Sequence, residues 1–230
     1  MKKGNRYIWM LLVVCLLSNC TSKTRLPDLR ETYRSNDTNP FGGNIAFRLL
    51  QNSFPDNYVR KINTLFDDES GMMASDKSSL YFYICRSFTL KDREADELLD
   101  YVYKGNTFFL SAGHFDSVLL EKIYCTVKED AVTQIAVPFL RQTAVKLTAD
   151  LDTTRSKFSY YFLPFSSSFS AINSIYSSVL GYNGNDEPNC IVFFWGKGKM
   201  ILHTDPRAFS NYFLLKDNNY RYLQDLLQVS

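Results

Sequence analysis

Histidine is scarce in this 230-residue chain, and that scarcity narrows its chemistry first. Only two are present, His114 and His203, too few to complete a zinc site unless thiolates or carboxylates contribute. The five cysteines do not supply that help, because Cys15, Cys20, Cys85, Cys125 and Cys190 follow no metal or redox spacing. Cys85 ("YFYICRS") and Cys190 ("PNCIVFF") sit in apolar runs, which suits buried free thiols. A long apolar run is also missing. The stretch Tyr7–Leu17 is shorter than the roughly 20 residues a spanning helix needs. Charge of one sign is not in excess either, with 26 Lys+Arg against 24 Asp+Glu. Nucleic-acid binding needs a clustered basic surplus, so no nucleic-acid partner is expected. Finally, "GKGK" at Gly196–Lys199 lacks the spacing and the following helix of a phosphate-cradling loop. No metal and no cofactor are expected.

What is present is most legible at the N-terminus. Lys2, Lys3 and Arg6 precede the short apolar run, which ends in "LSNC" at Cys20. Those residues resemble a bacterial lipoprotein signal. Residues 1–19 are expected to be a signal peptide, Cys20 the lipidation site, residues 20–38 a flexible tether and 39–230 one α/β domain. Removal of the leader takes away three basic residues, so 26 − 3 = 23 remain against 24 acidic ones, a side-chain charge of 23 − 24 = −1. Attachment to a membrane would then rest on the lipid at Cys20 and not on a basic surface. Thr21 follows Cys20, not the Asp that often accompanies inner-membrane retention. The expected place is therefore the cell envelope, periplasm-facing and on the outer membrane.

Along the domain, Asn39-Pro40 has the chemistry of a helix start, and Ile45, Ala46, Leu49 and Leu50 give a helical stripe. "SLYFYIC" (Ser79–Cys85) and "TFFLSA" (Thr107–Ala112) read as strands buried on both faces. Between them Thr89 and Asp92 have capping-box spacing. Ala95, Leu98, Leu99 and Val102 share a helix face, and Gly105 stops it. Strand, helix and strand in this order predict a parallel pair with a right-handed crossover. Asp116–Tyr124 reads as another helix. Residues 126–178 form an irregular insertion, with an alternating strand at Val145–Asp152 and a mixed aromatic and serine stretch at Phe158–Ser170. "CIVFFW" and "KMILHT", joined by "GKG", predict a hairpin. Asp205-Pro206 then opens a short helix, and Tyr220, Leu223 and Leu227 form the inner stripe of the last one.

"NPFGGNIAFRLL", "DELLDYVYKGNTFFLSA" and "GKGKMILHTDPRAFSNYFLLKDNNYRYL" together resemble the bacterial family of domain of unknown function 4350. The resemblance implies a flavodoxin-like sandwich similar to class I glutamine-amidotransferase-like domains. Such a fold has a mostly parallel central sheet, helices on both faces, and here a C-terminal β-hairpin followed by a helix. Through the gene neighbourhoods of its relatives it also implies a role in assembly or maturation. Amidotransferase-like enzymes hold a nucleophilic cysteine between glycines on a tight elbow. Cys85, Cys125 and Cys190 lack those glycines, so that enzyme is not expected.

Two clusters remain as candidate sites. Ser111 and His114, in "FFLSAGHF", would stand at the end of a central strand, where open α/β sheets bind ligands. The stretch Ser111–Asp116 is thus an alternative ligand-binding or hydrolytic site. His203, Asp205, Arg207 and Asn211 could bind an anion. The structural alternative has Asp205 capping a helix, Arg207 pairing locally and Asn211 bonding a neighbouring loop. The function these readings favour is a non-catalytic, lipid-anchored envelope protein that acts through contacts with an unidentified envelope protein.

Overall fold

The computed structural model describes residues 26–55, 59, 61, 78–129, 140–149, 151 and 157–229. Cys20 and the expected signal peptide lie outside the described residues. The βαβ unit forms as the apolar runs and stop signals require. Strand β1 (Leu80–Phe88) pairs in parallel with β2 (Thr107–Phe115), and helix α2 (Asp92–Tyr103) joins them. An earlier helix, α1, spans Asn44–Ser53. Helix α2 starts at Asp92, where the Lys91 N–H donates to Glu94 Oε2 at 2.8 Å, so Thr89 is not its cap. After α3 (Ser117–Lys122) come β3 (Thr126–Lys128), β4 (Arg141–Leu147), β5 (Phe158–Phe162) and β6 (Ser168–Ala171). Then β7 (Ser177–Asn183), β8 (Pro188–Trp195) and β9 (Gly198–His203) lead to a 3₁₀ turn at Pro206–Phe209, α4 (Asn211–Leu214) and α5 (Tyr220–Leu227).

The main sheet has seven strands in the order β1-β2-β9-β8-β7-β4-β5. Only β1–β2 and β2–β9 are parallel, while the other four pairs are antiparallel. The fold is mixed α/β, and its sheet is mostly antiparallel instead of the mostly parallel flavodoxin-like sheet expected. The reason lies in the connections. A parallel pair needs a crossover of a dozen or more residues, whereas an antiparallel pair needs only a turn. Turns are what join β7 to β8 and β8 to β9. The region expected to be an irregular insertion contributes β4 and β5 to the main sheet, and β3 and β6 pair as a separate ribbon.

Apolar side chains fill both faces of the sheet. On one, Phe109 and Ile201 pack with Ala46, Phe209, Phe213, Tyr222 and Leu226. On the other, Leu110, Ala112 and Met200 pack with Leu98, Val102 and Leu119. The final helix buries Tyr222, Leu223, Leu226 and Leu227, while Tyr220 is 38% exposed. The inner stripe is therefore turned away from Tyr220. That helix region also covers the outer margin of β5. Asn219 Nδ2 donates to Ser159 O at 2.9 Å, and Tyr212 Oη donates to Tyr161 O at 3.1 Å.

The "GKG" turn follows from close packing. Gly196 has φ +60°, and a Cβ there would stand 2.4 Å from Tyr103 Cδ2. A Cβ on Gly198 would stand 2.2 Å from the Asn106 and Val102 carbonyl oxygens. The tip is thus clamped on the end of α2, with the Lys197 N–H donating to Tyr103 O at 3.0 Å. At the N-terminal side the packed chain begins before residue 39. Tyr33 is buried, and its N–H donates to Phe41 O at 3.0 Å. Asn39-Pro40 belongs to this strap and not to the helix. Pro40 O and Gly42 O accept the N–H groups of Tyr212 and Asn211.

Candidate functional site

Strand β2 runs on to Phe115, so Ser111 lies inside the strand and not at its end. Alternation then separates the two residues expected to cooperate. Ser111 shares the face of Phe109, while His114 shares the face of Leu110 and Ala112. His114 is half-exposed, with Nδ1 2.5 Å from Glu129 Oε1. Ser111 is fully buried, and its neighbour in the sheet is His203.

The structure therefore exchanges one histidine for the other. Ser111 Oγ lies 3.4 Å from His203 Nδ1, and that nitrogen also accepts the Asp205 backbone N–H at 3.0 Å. A backbone N–H can only donate, so Nδ1 carries a lone pair and the neutral ring holds its hydrogen on Nε2. Nε2–H donates to Tyr222 Oη at 3.0 Å. The ring stands edge-on to Phe209, with centroids 4.9 Å apart. Burial pushes the His203 pKa down to about 3 and raises that of Tyr222. A serine beside an imidazole is present here, but it sits in a sealed interior with a ring that stays neutral.

Asp205, Arg207 and Asn211 are also committed to the fold. Asp205 caps the 3₁₀ turn, its Oδ1 accepting the Arg207 N–H at 3.0 Å and Nε at 2.9 Å. Its Oδ2 accepts from Nη2 at 2.5 Å. Nη2 also donates to Pro164 O at 3.2 Å. Burial disfavours the guanidinium charge, yet Asp205 beside it holds the proton more tightly than usual. The side chain of Asn211 stitches the N-terminal strap to the domain. Its Oδ1 accepts the Ile45 N–H at 2.8 Å, and Nδ2 donates to Asp37 O at 2.8 Å and Asn39 O at 2.7 Å.

The remaining candidates for chemistry are similarly placed. Burial raises the thiol pKa of Cys85 to about 12 and pushes those of Cys125 and Cys190 up. Thiolate nucleophiles need the opposite shift. Among the described residues, no group of three or more His, Cys, Asp or Glu side chains is arranged to hold a metal. The aromatic stretch is mixed: Tyr160 and Phe165 stack with centroids 4.7 Å apart inside the core, whereas Tyr161 is 58% exposed. Sequence reasoning missed Tyr222 as the partner of His203. The only signal was a tyrosine next to the leucines of the last helix, and buried tyrosines seek a partner for the hydroxyl.

Among solved structures, the mmIFT52 N-terminal domain is similar with a TM-score of 0.59 and 15% identity, over 80% of this chain and 89% of that one. At that identity the likeness shows the fold alone. A β-galactosidase from Bacillus circulans sp. alkalophilus gives a TM-score of 0.37 at 16% identity, over 63% of this chain and 22% of that one. The exo-β-1,4-mannosidase Op5Man5 from Opitutaceae bacterium strain TAV5 gives 0.44 at 12%, over 88% and 33%. No curated protein matches the sequence. The model of the family described as domain of unknown function (DUF4350) matches residues 35–227, and the chain belongs to that family.

Proposed function

We propose that this chain is a non-catalytic, lipid-anchored envelope protein that works through protein contacts, in the assembly or maturation of a partner. One observation carries the reading. Of the candidate groups, Ser111, His203, Asp205, Arg207 and Asn211 are buried and bonded to one another or to backbone, and His114 is paired with Glu129. The βαβ half of the fold is, on this reading, the counterpart of an amidotransferase-like domain whose reactive elbow has been replaced by packing. Labelled palmitate incorporation into the full chain, with Cys20→Ala as control and membrane separation afterwards, tests the anchor. Label retained by the variant would remove it. A second reading, a ligand site at Ser111–Asp116, draws on Asp116 Oδ1, which is buried without a hydrogen-bond partner. Ser111→Ala with His114→Ala abolishes function on that reading and leaves it intact on the first.

A further inference from the structure

Tyr124 follows helix α3 with φ +55°, a backbone region where glycine or asparagine normally ends a helix. A bulky residue held there carries a conformational penalty. Its side chain is nevertheless 78% exposed and so contributes little packing in return. The β6–β7 turn lies against the same corner, with Asn173 Nδ2 donating to Ile123 O at 3.5 Å. That turn presents Ile175 at 83% and Tyr176 at 44% exposure. Tyr176 stands edge-on to Trp195 at 5.9 Å, and Tyr103, 56% exposed, also stands edge-on to Trp195 at 6.1 Å. The ends of α2 and β8 and the β6–β7 turn thus form one aromatic surface beside the β8–β9 tip, and Tyr124 adjoins that turn through the Asn173–Ile123 bond.

Beside the tip, Asp100 is already paired with Lys104 at 2.6 Å. Lys197 is exposed and has no ion-pair partner among the described residues. The stretch 168–183 that forms β6, the turn and β7 contains no charged residue. The surface also lies at the opposite end of β9 from the N-terminal strap, about 20 Å away along the strand.

We infer that this surface is the docking site for a partner protein, which inserts an apolar anchor among Tyr124, Tyr176 and Trp195 and presents a carboxylate to Lys197. Tyrosine and tryptophan supply contact area with few torsions to immobilise, and the unpaired ammonium selects the acidic neighbour. This inference rests on the protein-contact reading above and adds its location and the partner's chemistry.

The test places a photo-crosslinking benzoylphenylalanine at Tyr176 in the full chain, in its own cells, with controls at Tyr161 and Leu215. The expected result is one discrete product from Tyr176 whose crosslinked peptide is acidic. Lys197→Glu and Tyr124→Gly each lower its yield on the order of tenfold. Tyr124→Gly at the same time raises Tm by about 2–4 °C, because the strained position is relieved. A gain in stability together with a loss of contact is not what a structural residue gives. Products from the control positions but none from Tyr176 overturn the site while leaving the protein-contact reading intact. Products from none of the three overturn both. A product joining two copies of this chain, or a peptide without carboxylates, overturns the assigned partner. Co-sedimentation with phosphatidylglycerol vesicles that Lys197→Glu abolishes overturns it in favour of an anionic membrane.

Discussion

His203 should make the fold acid-sensitive well above the pH at which carboxylates titrate. In the folded chain its pKa is lowered to about 3 from the ordinary imidazole value of about 6.5, because the buried ring cannot be solvated as a cation. Between those two pH values the unfolded chain binds a proton that the folded chain refuses, so stability falls as pH falls. The stabilisation is complete above about pH 6.5 and declines toward pH 3. Each pH unit within the window costs about 1.4 kcal/mol once the unfolded imidazole is mostly protonated, so the loss from pH 7 to pH 5 is about 2 kcal/mol. Urea denaturation followed by circular dichroism at pH 7, 6 and 5 measures it. His203→Asn keeps an oxygen near the position of Nδ1 for the Asp205 N–H. It is less stable at pH 7 by about 2–3 kcal/mol, since Tyr222 loses its partner and a small void opens. The same variant loses most of the slope between pH 7 and 5. His114→Gln, which removes the other histidine, is run beside it as the control. A wild-type profile flat from pH 7 to 5, or a slope that survives in His203→Asn, would refute the argument.

Three further outcomes follow from the same geometry. Arg207→Met leaves Asp205 buried without its bidentate partner and lowers unfolding free energy by about 3–5 kcal/mol, whereas the double change Arg207→Met with Asp205→Asn recovers a measurable part of it in the same urea assay. Asn211→Ala removes three hydrogen bonds, two to the strap and one to the first turn of α1. It costs about 2–3 kcal/mol and makes the segment before Ile45 more open to limited proteolysis at native pH. Gly196→Ala places a methyl against Tyr103 at a left-handed turn position. It lowers Tm by about 4 °C or more, while Lys197→Ala at the exposed neighbour changes it by under about 2 °C.

The parts of this fold that were legible in the sequence are those whose cause is local. Leu80–Phe115 announced itself because strands covered on both faces read as unbroken apolar runs and the intervening helix carries its own stripe and glycine stop. The β8–β9 hairpin was equally plain from its two glycines. The sheet's mostly antiparallel character was hidden because β4 and β5 are separated by long, mixed connections and recognise each other only in three dimensions. The site shows the same divide. Ser111 and His114 looked like partners because the strand was expected to stop at Ala112. Three further residues of strand place them on opposite faces. The true neighbour of Ser111 is His203, 92 residues away, and the group that orients His203 is Tyr222 from the last helix. Neither distance leaves a mark on composition or periodicity. Asp205 and Arg207 fared better, since a cap and its neighbour are sequence-local events.

A sheet of this kind has two margins where a foreign backbone can join. On β5 that invitation is withdrawn: an amide from Asn219 and a phenol from Tyr212 already occupy the outward carbonyls. Within the main sheet of the described residues, growth by strand addition is then left to β1. Pairing through a single margin ends at two molecules, so the C-terminal helices of this protein act as a stopper against fibres.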